Sequence, residues 1–179
     1  MEPDLTEDLS LRYQRWSYVS YGLAQLGVFS VIDVQEIGRL DCKCINEDNR
    51  ICACVGHDSD FEQNLMKDND HFLYSKLWVL AAYELVRVIR VRCKNNPNLL
   101  SNNLVTQVES LESKFLRLRV PLAKKEPPRK YPNDIGIAYP VLHRKYGFGW
   151  YISQDVVFTR RELSEELLHC LEEIRKTTI

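Results

Sequence analysis

The segment from residue 71 to residue 94 is the most apolar helical pattern in the chain, and it restricts the fold more than any other feature. Its apolar side chains lie on several faces of a helix instead of one stripe: Leu73, Leu77, Trp78, Leu80, Ala81, Leu85, Val88 and Ile89. A helix that is apolar on several faces packs against neighbours on several sides. We therefore expect this helix at the centre of the fold, and Pro97 ends it.

A second helical pattern covers residues 101 to 119. Its apolar positions alternate in spacings of four and three, which makes a seam for packing along another helix: Leu104, Val108, Leu111, Phe115 and Leu118. A first helix is expected after Thr6, and a last one after Thr159, which opens the capping-box sequence Thr-Arg-Arg-Glu. The helical core is thus expected on residues 71–94 and 101–119.

Two segments have the pattern of β-hairpins. In the first, near residues 40–55, strand-like runs flank the polar residues 46–50. In the second, near residues 137–158, two such runs enclose a turn at residues 145–149. The sequence therefore predicts an α+β fold, mainly helical, with a helical core and two antiparallel β-hairpins in a single domain over residues 1–179. Residues 28–38 fit either a strand or a helix.

Four cysteines fall in the first predicted hairpin: Cys42, Cys44, Cys52 and Cys54. A turn centred on Asp48 would put all four on one face, in a rectangle of roughly 5 Å by 7 Å. Four zinc ligands at about 2.3 Å from the metal lie closer together than that. Because Asp41 and Lys43 would occupy the opposite face, we expect packed thiols and no metal or cofactor. A metal site and a redox or disulfide role are the alternatives.

Composition is typical of a cytoplasmic globular protein. The acidic N-terminal sequence has no basic and apolar signal-peptide regions, and no apolar run is long enough to span a bilayer. Six cysteines without a secretion signal indicate reduced thiols. We therefore expect a cytoplasmic protein that does not contact a membrane.

Charge is distributed unevenly along the chain. The total is −1, but residues 114–145 contain nine basic and two acidic residues, a net charge of +7. Within this segment, residues 122–134 hold Pro127, Pro128 and Pro132 among cations, and we expect them to form an exposed basic connector. Such a segment attracts an anionic partner even in a nearly neutral molecule.

Aromatic residues are interleaved with these cations, and Gly147 and Gly149 would let the rings at the tip of the second hairpin turn away from the core. Cations bind phosphates and flat rings stack on unpaired bases, while aromatic side chains also anchor protein interfaces. The candidate binding residues are Lys124, Lys125, Arg129, Lys130, Tyr131, Arg144, Lys145, Tyr146 and Phe148.

No catalytic motif is present in the sequence. It has no glycine-rich phosphate loop and no Gly-x-Ser-x-Gly elbow, and its histidines are scattered. Arg50 and His57 have the spacing of the arginine–histidine signature of the HEPN ribonucleases, but they fall across the predicted hairpin instead of on a helix, so we assign no family. We expect that the protein is not an enzyme but an interaction module, which binds a protein partner or a second copy of the same chain. The alternative is a nucleic-acid-binding or nucleic-acid-processing helical protein that uses the basic aromatic segment 114–151.

Overall fold

The computed structural model describes residues 8–24, 28–54, 69–143 and 145–178. In these ranges it is mainly helical, as the sequence predicted, and has one small antiparallel sheet. The elements in chain order are α1 (Leu9–Gly22), α2 (Val28–Cys54), α3 (Asn69–Asn95), α4 (Asn102–Lys124), β1 (Tyr139–His143), β2 (Gly147–Ser153), β3 (Val156–Thr159) and α5 (Arg160–Thr178).

Helices α3 and α4 form the core that their patterns predicted. Trp78 of α3 is fully buried and lies against Phe115 of α4, with ring centroids 5.9 Å apart. The whole predicted seam of α4 is buried. This helix runs past Pro121 to Lys124 and is closed by Lys125 in the left-handed region at a φ of 58°. Pro121 therefore does not end the helix.

The first predicted hairpin, residues 40–55, is wrong, because residues 28–54 form the single helix α2. Its buried positions recur at helical spacing: Val34, Ile37, Asp41, Cys44, Ile45, Asp48 and Ile51. The polar residues 46–50 have turn composition, yet Asp48 and Asn49 bind side chains of other elements. Glu47 and Arg50 pair with each other within the helix. Residues 28–38, which fitted either a strand or a helix, are helical and belong to α2. Arg50 also lies on this helix.

The second predicted hairpin is present, with one strand more than expected. Strands β1 and β2 pair antiparallel, and β3 extends the sheet in the order β1-β2-β3. A turn at Gln154 and Asp155 divides the run from Trp150 to Phe158 into two strands. On β2, Phe148, Trp150 and Ile152 face the helical core.

The two terminal helices close the bundle. Asp8 caps α1 by accepting a hydrogen bond from the backbone N–H of Ser10 at 2.8 Å. Thr159 begins α5 as predicted, and its hydroxyl accepts the N–H of Glu162 at 3.2 Å. The sequence Ser59-Asp60-Phe61-Glu62 has the capping-box pattern, and the short helix that it predicts lies outside the described residues. Among the helices of the described ranges, none has a stretch long and apolar enough to cross a bilayer.

Candidate functional site

A network of buried charges lies between α1, α2 and α5. Asp41 of α2 is fully buried and accepts hydrogen bonds from three side chains. Arg12 Nε donates to its Oδ2 at 2.6 Å, Trp16 Nε1 donates to the same oxygen at 3.0 Å, and Arg160 Nη1 donates to Oδ1 at 2.7 Å. Arg12 also donates to the hydroxyl of Ser164 at 2.7 Å. Each charge of this half of the network therefore has an opposite charge beside it.

The same network continues to the sheet through Asp48. Arg160 Nη2 donates to Asp48 Oδ2 at 2.7 Å, and His71 Nε2 lies 2.9 Å from Asp48 Oδ1. The backbone N–H of Phe148 donates to that same oxygen at 2.9 Å. Asp48 thus joins α2, α3, α5 and the start of β2.

The electrostatics keep both aspartates ionised. Burial alone would raise the pKa of Asp41, but the guanidinium groups of Arg12 and Arg160 outweigh it and lower the pKa below its ordinary value. Burial likewise opposes ionisation of Asp48, but Arg160 and His71 outweigh the effect of burial and lower the pKa of Asp48. Since Asp41, Asp48, His71 and Arg160 are all at least 97% buried, a substrate cannot reach them. The network binds the elements together and positions the sheet.

The cysteines do not form the rectangle expected of a hairpin. On helix α2, Cys42 and Cys44 point about 200° apart around the axis, and Cys44 and Cys52 are separated by about 12 Å along it. Cys44 is buried, and burial raises the pKa of its thiol to about 11. Asp41, which the hairpin prediction placed on the face opposite the cysteines, is fully buried as well. In the ranges that the structure describes, no three His, Cys, Asp or Glu side chains are placed to hold a metal ion. The absence of bound zinc stays a prediction, tested by elemental analysis of the purified protein.

The basic connector is exposed where its cations lie. Lys124, Lys125, Arg129 and Lys130 are all exposed, and Tyr131 is half-buried beside them. The connector is not freely extended, because backbone hydrogen bonds fold it at Tyr131 and at Asp134. Arg117 of α4 holds Asp134 with two hydrogen bonds of 2.6 and 2.7 Å. The connector therefore presents four cations from a fixed path.

The tip of the second hairpin is not the exposed aromatic site that the sequence suggested. Phe148 is 3% exposed and packs edge-to-face against His71, Phe72 and Trp150. Its ring is held inward because the N–H of Phe148 is bound to Asp48. Tyr146 is half-buried, with its ring 4.7 Å from that of His143. Lys145 is half-buried next to it, and Arg144 lies outside the described residues.

The tip and the basic connector lie at opposite ends of the sheet. Ile135 at the end of the connector donates its N–H to the carbonyl of Ile152, at 2.7 Å. Tyr146 is six residues before Ile152 on an extended strand, so the two are about 20 Å apart. The structure does not bring the predicted residues into one site.

The outer face of the sheet carries aromatic residues that sequence reasoning did not select. Tyr139 of β1 and Tyr151 of β2 are direct register partners, and they are 54% and 42% exposed. Ile137, two residues before Tyr139, is 48% exposed on the same chain. Strand alternation is a signal that could have found this pair, because Tyr151 alternates with Trp150 and Ile152, which fill the core. The register that places Tyr139 opposite it is a tertiary feature.

The basic connector approaches the chain shortly before the tyrosine pair, Tyr139 and Tyr151. A Cβ on Gly136 would lie 3.2 Å from Pro127, so the connector passes beside the residue where the chain approaches β1. Tyr139 is three residues after Gly136, a reach of about 11 Å at most. The hydrogen bond from Ile135 to the carbonyl of Ile152 holds the chain after the connector next to the residue that follows Tyr151. We call Ile137, the tyrosine pair and the four exposed cations of the connector the sheet–connector surface.

A groove of about 460 Å³ along α5 is lined by side chains of both charges. Tyr146, His169, Arg15 and Arg161 line it together with four glutamates of α5: Glu162, Glu165, Glu166 and Glu172. Each glutamate has a partner within the protein, namely Thr159, Arg12, Lys114 and Arg15 respectively. The groove is therefore built from internal ion pairs and hydrogen bonds.

No family model, curated protein or solved structure matches this chain.

Proposed function

We propose that this protein is a small interaction module that binds an anionic partner through the sheet–connector surface. The observation that carries the proposal is the exposure of the tyrosine pair and of four cations on the connector that approaches the sheet at Gly136. Exposed aromatic rings anchor interfaces, and cations supply long-range attraction and orientation. The tip residues Tyr146 and Phe148 are not part of this surface.

The preorganised backbone of this surface also supports binding. The pairing of β1 with β2 holds the two tyrosines, and the Arg117–Asp134 ion pair and the Ile135–Ile152 hydrogen bond hold the connector. A surface whose backbone is already ordered loses less conformational entropy when a partner binds. Its exposed side chains project from these ordered elements.

Site-directed photo-crosslinking in the cells that make this protein tests the proposal. A photoreactive phenylalanine analogue is placed at Tyr139 or Tyr151, and at Tyr18 or Tyr21 as matched controls, because these tyrosines of α1 are 56% and 63% exposed. We expect a discrete adduct from the sheet positions and none from α1. Equal adducts from all four positions, or none from the sheet, would contradict the proposed surface.

A further inference from the structure

We infer that the partner of the sheet–connector surface is a single-stranded nucleic acid, with its bases on the tyrosine pair and its phosphates on the basic connector. The inference rests on the proposed function and names the class of partner. It follows from three features of this surface, namely the rings, the cations and the edge of the sheet.

The tyrosine pair has the geometry of a stacking platform. Register partners in antiparallel strands have Cβ atoms about 5 Å apart, so the two phenol rings are close neighbours on one face. Both project from the solvent side of the sheet, while Trp150 fills the core side. Unpaired bases stack on such rings whatever their sequence. Bases within a duplex have no free face to offer, so the platform selects single strands.

The cations lie together on the connector that leads into β1. Lys124, Lys125, Arg129 and Lys130 are within one short connector that approaches the sheet at Gly136. Glu126 is the one acidic residue between Lys124 and Tyr131, and its contact with Lys124 is 3.7 Å long between exposed side chains. Exposed pairs of this kind neutralise little charge. Residues 124–130 of the connector therefore keep a net charge of +3 for phosphate groups.

The neighbouring Arg117 of α4 is engaged within the protein, because its ion pair with Asp134 is mostly buried. Helix α4 therefore does not offer this cation to the groove of a duplex.

The sheet edge disfavours an extended peptide as the alternative partner. Pro140 lies in β1, which is the first strand in the sheet order. A proline has no N–H, so it removes a donor from the ladder that an added peptide strand would need. Recognition by stacked side chains does not depend on that ladder.

Fluorescence anisotropy with labelled oligonucleotides tests the inference directly. The probes are 20-nucleotide oligo(dT) and oligo(rU), and a DNA duplex of the same length, each at 50 and 200 mM salt. Four phosphate contacts predict binding of the single strands about 50-fold weaker at the higher salt. The quadruple variant Lys124→Gln, Lys125→Gln, Arg129→Gln, Lys130→Gln should bind weakly and lose most of that salt dependence.

Ring variants separate stacking from charge. Tyr139→Ala with Tyr151→Ala should weaken single-strand binding at least ~20-fold and leave the salt dependence unchanged, because stacking contributes about 1–3 kcal/mol per base. Tyr139→Phe with Tyr151→Phe should retain binding, since the ring and not the hydroxyl stacks. The matched control, Tyr18→Ala with Tyr21→Ala on α1, should bind like the wild type.

Each contrary outcome overturns the inference in a recognisable way. Tighter binding of the duplex, or equal weakening by the α1 control, would exclude a single-strand platform at this surface. The photo-crosslinked adduct gives an independent reading, because nuclease should remove its added mass. An adduct that resists nuclease and is degraded by protease would identify a protein partner, which overturns this inference and leaves the proposed surface in place.

Discussion

At the scale of single residues, the buried charged side chains explain more of the fold than the exposed side chains do. Arg12, Arg160, Asp41 and Asp48 are almost completely buried, and their charges are neutralised in pairs. Removing one charge from such a set leaves its partner buried without compensation, which costs far more than the pair contributes. The four residues therefore act as one unit.

Asp41→Asn tests this unit, because the substitution keeps the shape of the side chain and removes its charge. Arg12 and Arg160 would then lose the buried carboxylate that both of them contact. We expect the free energy of unfolding to fall by about 3–5 kcal/mol. Urea denaturation measures it. Asp33→Asn, at an exposed position on the same helix, should change it by less than about 0.5 kcal/mol. Similar losses in both variants would refute the network's role.

At the scale of elements, close helix packing decides positions where local propensity points the other way. Gly38 lies within α2, where glycine is a poor helix former. A Cβ at that position would overlap the side chain of Trp16 on α1. The glycine therefore permits the close approach of α1 and α2.

Gly38→Ala should destabilise the protein although alanine favours a helix by about 1 kcal/mol. We expect a net loss of about 1–3 kcal/mol, because Trp16 is fully buried and has no room to move away from the new methyl group. Thermal denaturation followed by circular dichroism measures it. Asn46→Ala, at an exposed position of the same helix, serves as the control and should be neutral or stabilising. A more stable Gly38→Ala variant would show that the helices are not in contact there.

The two faces of β2 should respond differently to truncation. Phe148→Ala removes a ring from the core and should cost about 3–5 kcal/mol, whereas Tyr151→Ala on the solvent face should cost less than about 1 kcal/mol. Chemical denaturation of the two variants gives both values. A small loss for Phe148→Ala would mean that the hairpin is not docked on the helices. The comparison also shows why Phe148 is unsuitable for a binding test, since its loss would affect folding first.

At the scale of the whole molecule, the buried aspartates make stability depend on pH. Their pKa values are lowered in the folded state, so the unfolded chain takes up protons first as the pH falls. The stability that these carboxylates contribute is complete above about pH 4, near the pKa of an unfolded aspartate, and is lost below it.

Comparison of the wild type with Asp41→Asn isolates this effect. The difference in their free energies of unfolding should stay constant from pH 7 to pH 5 and should shrink below about pH 4, because Asp41 takes up a proton in the unfolded wild type while it is still ionised in the folded protein. Urea denaturation across the pH range measures it. A difference that persists or grows down to pH 3 would mean that Asp41 is not held ionised by the arginines.

Charge is distributed unevenly over the molecule. The sheet–connector surface is basic, although the chain as a whole has a net charge of −1. A polar molecule of this kind orients an anionic partner before contact is made. Binding through the sheet–connector surface should accordingly weaken with added salt.

The amino-acid sequence by itself determined the elements whose signals are local. The apolar faces of α3, the seam of α4 and the capping sequence at Thr159 each lie within one segment, and each predicted its helix. The connector's charge and the exposure of its cations follow equally from nearby residues, because prolines and lysines resist burial.

Only the tertiary structure decided α2 and the binding surface. The local sequence around Asp41 and Asp48 has the composition of a strand and a turn. Both aspartates bind Arg160, which is 119 residues from Asp41 and 112 residues from Asp48. The tyrosine pair is formed by the register of two strands, and the burial of Phe148 depends on an N–H bound to Asp48, 100 residues earlier. A local pattern can show that a side chain is polar or aromatic, but its burial depends on whether distant residues satisfy its hydrogen bonds and charge.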